Sequence, residues 1–327
     1  MRWLSLTFGL CALPVALRAQ ALRDSAHVQS DGADLFVELR AADSTKPVVL
    51  FLHGGPGDHI TALLPFMAYP GPALERSFTM AYLYERGVGK SGPVPLSSQT
   101  LAQHVRDVDH VVEYLLGRFR ARRIAIIGHS WGGLLATRYA LDHGDRVSGL
   151  VQVCGPFNLP RGDSDLYTGS LAWYRSQKDS ASIAALEKLG PPPWHTLQDV
   201  ITSRRYARVG PVPGVPDMDM QRVLAAGGYT STDPKAMENA MAIVGAMFKE
   251  LSQVNLEPRL PGARTPMLLI AGGRDGIVLA KSLKPGFDAW GGPKELSVFE
   301  NSGHLPYVDS TDRFVRAVTV FLQKYLR

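Results

Sequence analysis

Cysteine is nearly absent from the 327 residues: Cys11 and Cys154 are the only two. Cys11 lies in an apolar leader, so a processed chain keeps one cysteine and has no internal disulfide. Its fold must rest on a packed core, and a chain that is 45% hydrophobic can bury one. Long basic runs are also missing. Loss of Arg2 and Arg18 with the leader lowers the formal net charge from +5 to +3, which leaves nucleic-acid binding without support. No apolar run is long enough to span a bilayer, so no stable membrane insertion is expected once the leader is removed. Histidines and carboxylates do not recur at metal-ligand spacing, and no metal or cofactor is expected. Internal repeats and low-complexity segments are lacking as well.

The leader itself reads "MRWLSLTFGLCALPVALRAQALRD", with Arg2 ahead of an apolar run from Leu4 to Leu17 and small residues at Ala19 and Ala21. This is the pattern of a secretory signal, residues 1–19, and predicts a periplasmic or secreted protein. Beyond it, short apolar runs recur at 47–53, 78–84, 123–128, 147–155, 265–273 and 295–301. Such runs suit strands covered on both faces. Between them Leu101, Val105, Val108, Val111, Val112 and Leu115 recur at helical spacing, as do Phe314, Val315, Val318, Phe321 and Leu322. The alternation predicts an α/β fold with a mostly parallel sheet flanked by helices. It lapses between about 156 and 262, where "LGPPPW" and "GPVPGVP" punctuate helix-like pieces. That segment is expected to be a helical cap inserted into a core made of 20–155 and 263–327.

Two nucleotide-binding patterns fail on context. "GVGKSG" (87–92) fits G-x-G-x-x-G, but Pro93 and Pro95 fall where the phosphate-binding helix would open, and Tyr84 stands where a P-loop needs its first glycine. Arg161-Gly162-Asp163, expected in a loop, is read as a chance match.

Gly128-His129-Ser130-Trp131-Gly132 is a G-x-S-x-G placed where a predicted strand meets a predicted helix. Glycines there permit a tight turn that projects the serine above the sheet. A serine hydroxyl is a weak nucleophile without a base, and the base needs a carboxylate to hold its tautomer. Both follow in the order acid, then histidine: Asp275 just past the run at 265–271 and His304 just past that at 295–299, each in a glycine-containing loop. The predicted catalytic set is therefore Ser130, Asp275 and His304. "FLHGGPGD" (51–58) ends an early strand in glycines, and the amides of Gly55 and Trp131 are the predicted oxyanion donors. His53 and His129 are read as scaffold.

With His53-Gly54-Gly55-Pro56-Gly57, Arg86-Gly87-Val88-Gly89-Lys90-Ser91, the Ser130 elbow, Asp275 and His304 in this order, the chain resembles the prolyl iminopeptidase-like branch of the α/β-hydrolase superfamily across most of 47–327. The resemblance implies an α/β-hydrolase fold, Ser130 as nucleophile with Asp275 and His304 as its relay, and removal of an N-terminal residue, typically proline, from small peptides. Two features depart from that branch. Tyr84-Glu85 stand where it has Asp-Gln, and "SLAWYRSQKD" around Trp173 lacks its cap glutamate. In "DPKAMENAMAIVGAMFKEL", Met237, Met241, Val244 and Phe248 form an apolar stripe with Glu238 beside it. Glu238 is thus the candidate anchor for a substrate ammonium. A carboxylesterase or lactone hydrolase on the same machinery is the alternative enzyme, and a binding protein on a retired scaffold is the alternative of another class. The oligomeric state is left open.

Overall fold

The computed structural model describes residues 21–207 and 233–326; the leader and the "GPVPGVP" stretch lie outside them. The chain opens with a hairpin of β1 (Leu22–Ser30) and β2 (Ala33–Ala41). Asp31 and Gly32 join the strands at φ 42° and 80°, the two left-handed positions that a tight hairpin turn of the right twist requires. In β2 every second residue, Ala33, Leu35, Val37, Leu39 and Ala41, is buried.

The other strands are β3 (Val48–Leu52), β4 (Thr79–Leu83), β5 (Ile124–His129), β6 (Val147–Val153), β7 (Met267–Gly272) and β8 (Lys294–Phe299). The sheet order is β1-β2-β4-β3-β5-β6-β7-β8, antiparallel across β1, β2 and β4 and parallel from β4 onward. Every residue of β3, β4, β5 and β7 is buried, as befits strands with a helical layer on each face. Successive side chains go to opposite layers. Leu50, Leu52, Ile124 and Ile126 join one core with Val108, Val112 and Leu134, while Val49, Phe51, Ala125 and Ile127 join the other with Phe66, Phe314 and Val318.

The helices of the core are α1 (Leu64–Ala68), α2 (Gly71–Leu74), α3 (Leu101–Phe119) and α4 (Trp131–Asp142). Between β6 and β7 the described residues form the helices α5 (Leu159–Gln177), α6 (Ser180–Leu189), α7 (Leu197–Arg205) and α8 (Pro234–Leu251) and a 3₁₀ turn at Glu257–Gly262, with one isolated bridge between Asn158 and Asn255. The chain ends with α9 (Ala280–Ala289), α10 (Pro306–Asp309) and α11 (Thr311–Tyr325). Tyr167, Leu171, Tyr174, Leu186 and Trp194 give the inserted helices a small core of their own. Helix α8 belongs to both parts. Its Ile243 and Met247 enter the main core, and its Glu250 accepts a hydrogen bond from the Leu101 amide at 2.9 Å, a carboxylate at the positive end of α3. No described helix is long and apolar enough to cross a membrane.

The "GVGKSG" loop proves structural. Ser91 donates to the Tyr84 carbonyl at 2.7 Å and accepts from the Phe36 amide, and Lys90 pairs with Glu38 at 3.1 Å. Just ahead of the loop, buried Arg86 makes two hydrogen bonds to Asp107 of α3, at 2.6 and 2.7 Å. Asp107 also accepts from the Ser30 hydroxyl at 2.6 Å. Loop, helix and hairpin are thus fastened at one buried ion pair.

Candidate active site

Strand β5 passes into α4 through Ser130, at φ 53° and ψ −118°, a backbone conformation that residues other than glycine rarely adopt. The glycines around it answer to close backbone contacts. A Cβ on Gly128 would lie 2.2 Å from the Gly132 carbonyl oxygen, and one on Gly132 would lie 2.2 Å from that of Leu52. The Ser130 carbonyl accepts from the Gly133 and Leu134 amides, yet its side chain makes no capping hydrogen bond. The hydroxyl is not spent on holding the helix. Trp131 is the first residue of α4, where an amide has no carbonyl within the helix to reach.

Asp275 and His304 meet. Asp275 is buried in the turn after β7, where one carboxylate oxygen accepts from the Ile277 and Val278 amides at 2.8 and 2.9 Å. Its other oxygen lies 2.8 Å from His304 Nδ1. The two loops dock through glycine: a Cβ on Gly272 would sit 2.0 Å from the Gly303 carbonyl oxygen. His304 is seated from the elbow side by His129, whose Nε2 donates to the His304 carbonyl at 2.9 Å and whose ring centre is 4.8 Å from that of His304. Burial above all, with His304 nearby, holds the His129 pKa well below its ordinary value, so His129 is a neutral donor. That gives a physical content to its expected role as scaffold.

The glycine loop after β3 lies against the elbow. A Cβ on Gly54 would meet His129 Nδ1 at 2.7 Å and Ser130 Cβ at 3.2 Å. Gly55 follows, exposed and at φ 132°, which only glycine adopts without strain. Serine, histidine–carboxylate pair and both predicted oxyanion positions therefore converge at the carboxyl ends of β3, β5, β7 and β8, the edge where open α/β sheets place their sites.

Glu238 is not brought to that point. Helix α8 turns Ala240 and Ile243 onto Gly57, and at 100° per residue Glu238 lies roughly 160° around the axis from Ala240. It is exposed. Met237 and Met241 are likewise about two-fifths exposed, so the buried face of α8 is Ala240, Ile243 and Met247 rather than the expected stripe. What ties the inserted helices to the acid loop is Arg204 of α7, which donates to the Ile277 carbonyl at 2.9 Å and to Asp163 of α5 at 2.8 Å.

Two neighbours fall outside the predicted site residues. Cys154, at φ 49°, places its thiol with Asp275 and His304 so that their ligand atoms lie within 4.8 Å of one another. Burial first, and Asp275 next, push this thiol's pKa well up. The second is Glu85, a buried carboxylate between the glycine loop and Trp131.

A mostly parallel sheet with a strained serine at the end of β5, and a histidine–carboxylate pair beyond β7 and β8, is the architecture of a hydrolase. The model of the alpha/beta hydrolase family matches residues 49–317, and the chain belongs to that family. It is 26% identical over 302 residues to "Probable aminopeptidase YbaC" of Bacillus subtilis, covering 88% of this chain and 92% of that protein. It is 29% identical over 232 residues to a pimeloyl-[acyl-carrier protein] methyl ester esterase of Vibrio atlanticus, covering 68% and 78%. Among solved structures, a proline iminopeptidase of Mycobacterium smegmatis superposes with a TM-score of 0.66 at 21% identity, over 93% of this chain and 99% of that one.

Proposed function

We propose that the chain is an exported serine hydrolase that cleaves amides or esters through an acyl-enzyme, and that it acts as an aminopeptidase of the prolyl iminopeptidase type on small peptides. Ser130 is the nucleophile in this reading. His304 takes its proton and later returns it to the leaving group, Asp275 holds the imidazole with its Nδ1 proton toward the carboxylate, and the Gly55 and Trp131 amides receive the oxyanion. The observation that carries it is the 2.8 Å contact of His304 Nδ1 with Asp275 beside a serine at φ 53°. The aminopeptidase reading is supported by the named relatives and by coverage of nearly their whole length.

The esterase is kept as the second reading for two specific reasons. Glu238, the residue chosen to grip a substrate amine, lies on the exposed side of α8, and an esterase is among the relatives at 29% identity. Side-by-side assay of prolyl and other aminoacyl arylamides against short acyl esters separates the two. Turnover of free-amine arylamides above N-blocked ones supports the peptidase, and ester turnover alone refutes it. A Ser130→Ala variant that keeps more than a few per cent of turnover refutes the serine mechanism in either form. The export proposal rests on the Arg2 and Leu4–Leu17 pattern. Protein from its native host then begins near Gln20 or Leu22, and intact Met1 on cytosolic protein refutes it.

A further inference from the structure

Glu85 stands two residues past β4, and its side chain is almost wholly enclosed, at 2% exposure. One carboxylate oxygen accepts from the Trp131 indole Nε1–H at 2.7 Å. The other accepts from the Gly57 backbone N–H at 3.2 Å and lies 3.9 Å from His53 Nε2. His53 in turn contacts the Gly54 carbonyl through Nδ1 at 2.6 Å. The His104 ring packs edge-on against the indole, 5.4 Å between centres, which limits how far Trp131 can turn. A single carboxylate thus joins the glycine loop, two residues from Gly55, to the residue that follows Ser130.

We infer that Glu85 is the positioning residue that sets the spacing of the two oxyanion donors by clamping the 53–57 loop to Trp131. The inference rests on the acyl-transfer reading of Ser130. Glu85 touches neither serine nor substrate in this scheme; it acts through the backbone it holds. The chemistry calls for a carboxylate and not an amide. Two N–H donors reach two different oxygens of one side chain, and a glutamine offers one acceptor and one NH₂ group. With glutamine, the NH₂ would face either the indole N–H or the Gly57 N–H, donor against donor. With the side chain enclosed, such an opposed pair releases one of the two anchors.

The test is E85Q, measured on whichever substrate class the wild type hydrolyses, with affinity for phenylboronic acid, which forms a tetrahedral adduct on an active serine, read in parallel. A misplacement on the order of 1 Å costs about a hundredfold in rate. The expected result is therefore a fall of about a hundredfold in kcat, KM within roughly threefold of wild type, and boronate affinity falling with kcat. Adding W131F removes one of the opposed donors, so the double variant is expected to regain about tenfold in kcat over E85Q. Should E85Q fail to fold by its melting curve, W131F alone is read the same way, with a smaller loss in kcat at unchanged KM expected because Gly57 stays held. Wild-type kcat in E85Q, lost kcat with boronate affinity intact, no gain from W131F in the double variant, or wild-type kcat in W131F where E85Q cannot fold each overturns the assignment. Full turnover in S130A overturns the acyl-transfer reading instead, so the two failures are distinct.

Discussion

Replacing Asp275 by asparagine tests the proposed relay at its most constrained point. One carboxylate oxygen takes two backbone hydrogen bonds, from Ile277 and Val278 at 2.8 and 2.9 Å, and the other faces His304 Nδ1 at 2.8 Å. Asparagine has one acceptor oxygen, and two amides claim it against one histidine. Its NH₂ group is thereby turned toward His304 and donates to Nδ1. The imidazole must then carry its proton on Nε2, the nitrogen that would have to receive the serine proton, and the base is blocked in the wrong tautomer. Loss of that kind in a Ser-His-Asp enzyme amounts to about 10⁴ in kcat, roughly 5.5 kcal/mol of barrier at 1.36 kcal/mol per decade. Because the backbone contacts survive, the melting temperature should barely move. Steady-state kinetics on the best arylamide or ester, paired with a thermal melt, gives both readings. A loss below tenfold in a variant that melts like wild type would show that the carboxylate does not set the tautomer. An Asp275→Asn, Ser130→Ala double variant should be no slower than Ser130→Ala alone, since the groups act as one unit.

Asp107→Asn leaves the Arg86 guanidinium buried without its anion and is expected to cost about 3–5 kcal/mol by urea titration, whereas Arg86→Met with Asp107→Leu should recover most of it; equal stability of the single variant and wild type would count against the clamp. Gly132→Ala, whose Cβ would strike the Leu52 carbonyl oxygen at 2.2 Å, should not give soluble folded protein. Gly162→Ala in α5 meets nothing within 4 Å and should gain up to about 1 kcal/mol from helix propensity alone. A pH dependence of stability follows from His59, whose pKa is pulled from 6.5 to about 4 by burial, with His53 adding and Asp58 and Asp233 opposing. The folded pKa lies below the unfolded one, so the unfolded chain binds more protons between those values. Stability is full above pH 6.5 and falls toward pH 4, by at most about 1.4 kcal/mol per unit. His59→Gln should flatten that slope, and an unchanged slope in denaturant titrations would remove His59 as its source.

Most of the parallel sheet was legible because burial on both faces leaves unbroken apolar runs in β3, in β5 as far as Ile127 and in β7, each too short for a helix. The β1–β2 hairpin is not among the predicted strands, although Asp31-Gly32 between alternating residues marks its turn. The serine elbow was legible for a different reason. Gly128 and Gly132 sit where any Cβ would enter a neighbouring carbonyl oxygen, so sterics write the residue type into the chain itself. Asp275 and His304 shared this advantage through Gly272 and Gly303, which let their loops meet.

Side chains whose role depends on a distant partner carry no such mark. Glu85 and Trp131 are 46 positions apart, and no local pattern in "LYERGVGKS" says that a carboxylate rather than an amide is required there. Glu238 shows the same limit from the other side. Helix α8 carries two apolar stripes, and the sequence reading singled out that of Met237, Met241, Val244 and Phe248, whereas the approach of Gly57 to Ala240 and Ile243 puts the other against the core. A steric requirement is local and survives in the sequence as a glycine, whereas an electrostatic one is satisfied by whatever the fold brings near. The chemistry of the site was therefore readable where backbone crowding dictated it. The neighbours Glu85, Cys154 and Arg204 came into view only once the fold had brought the segments that carry them together.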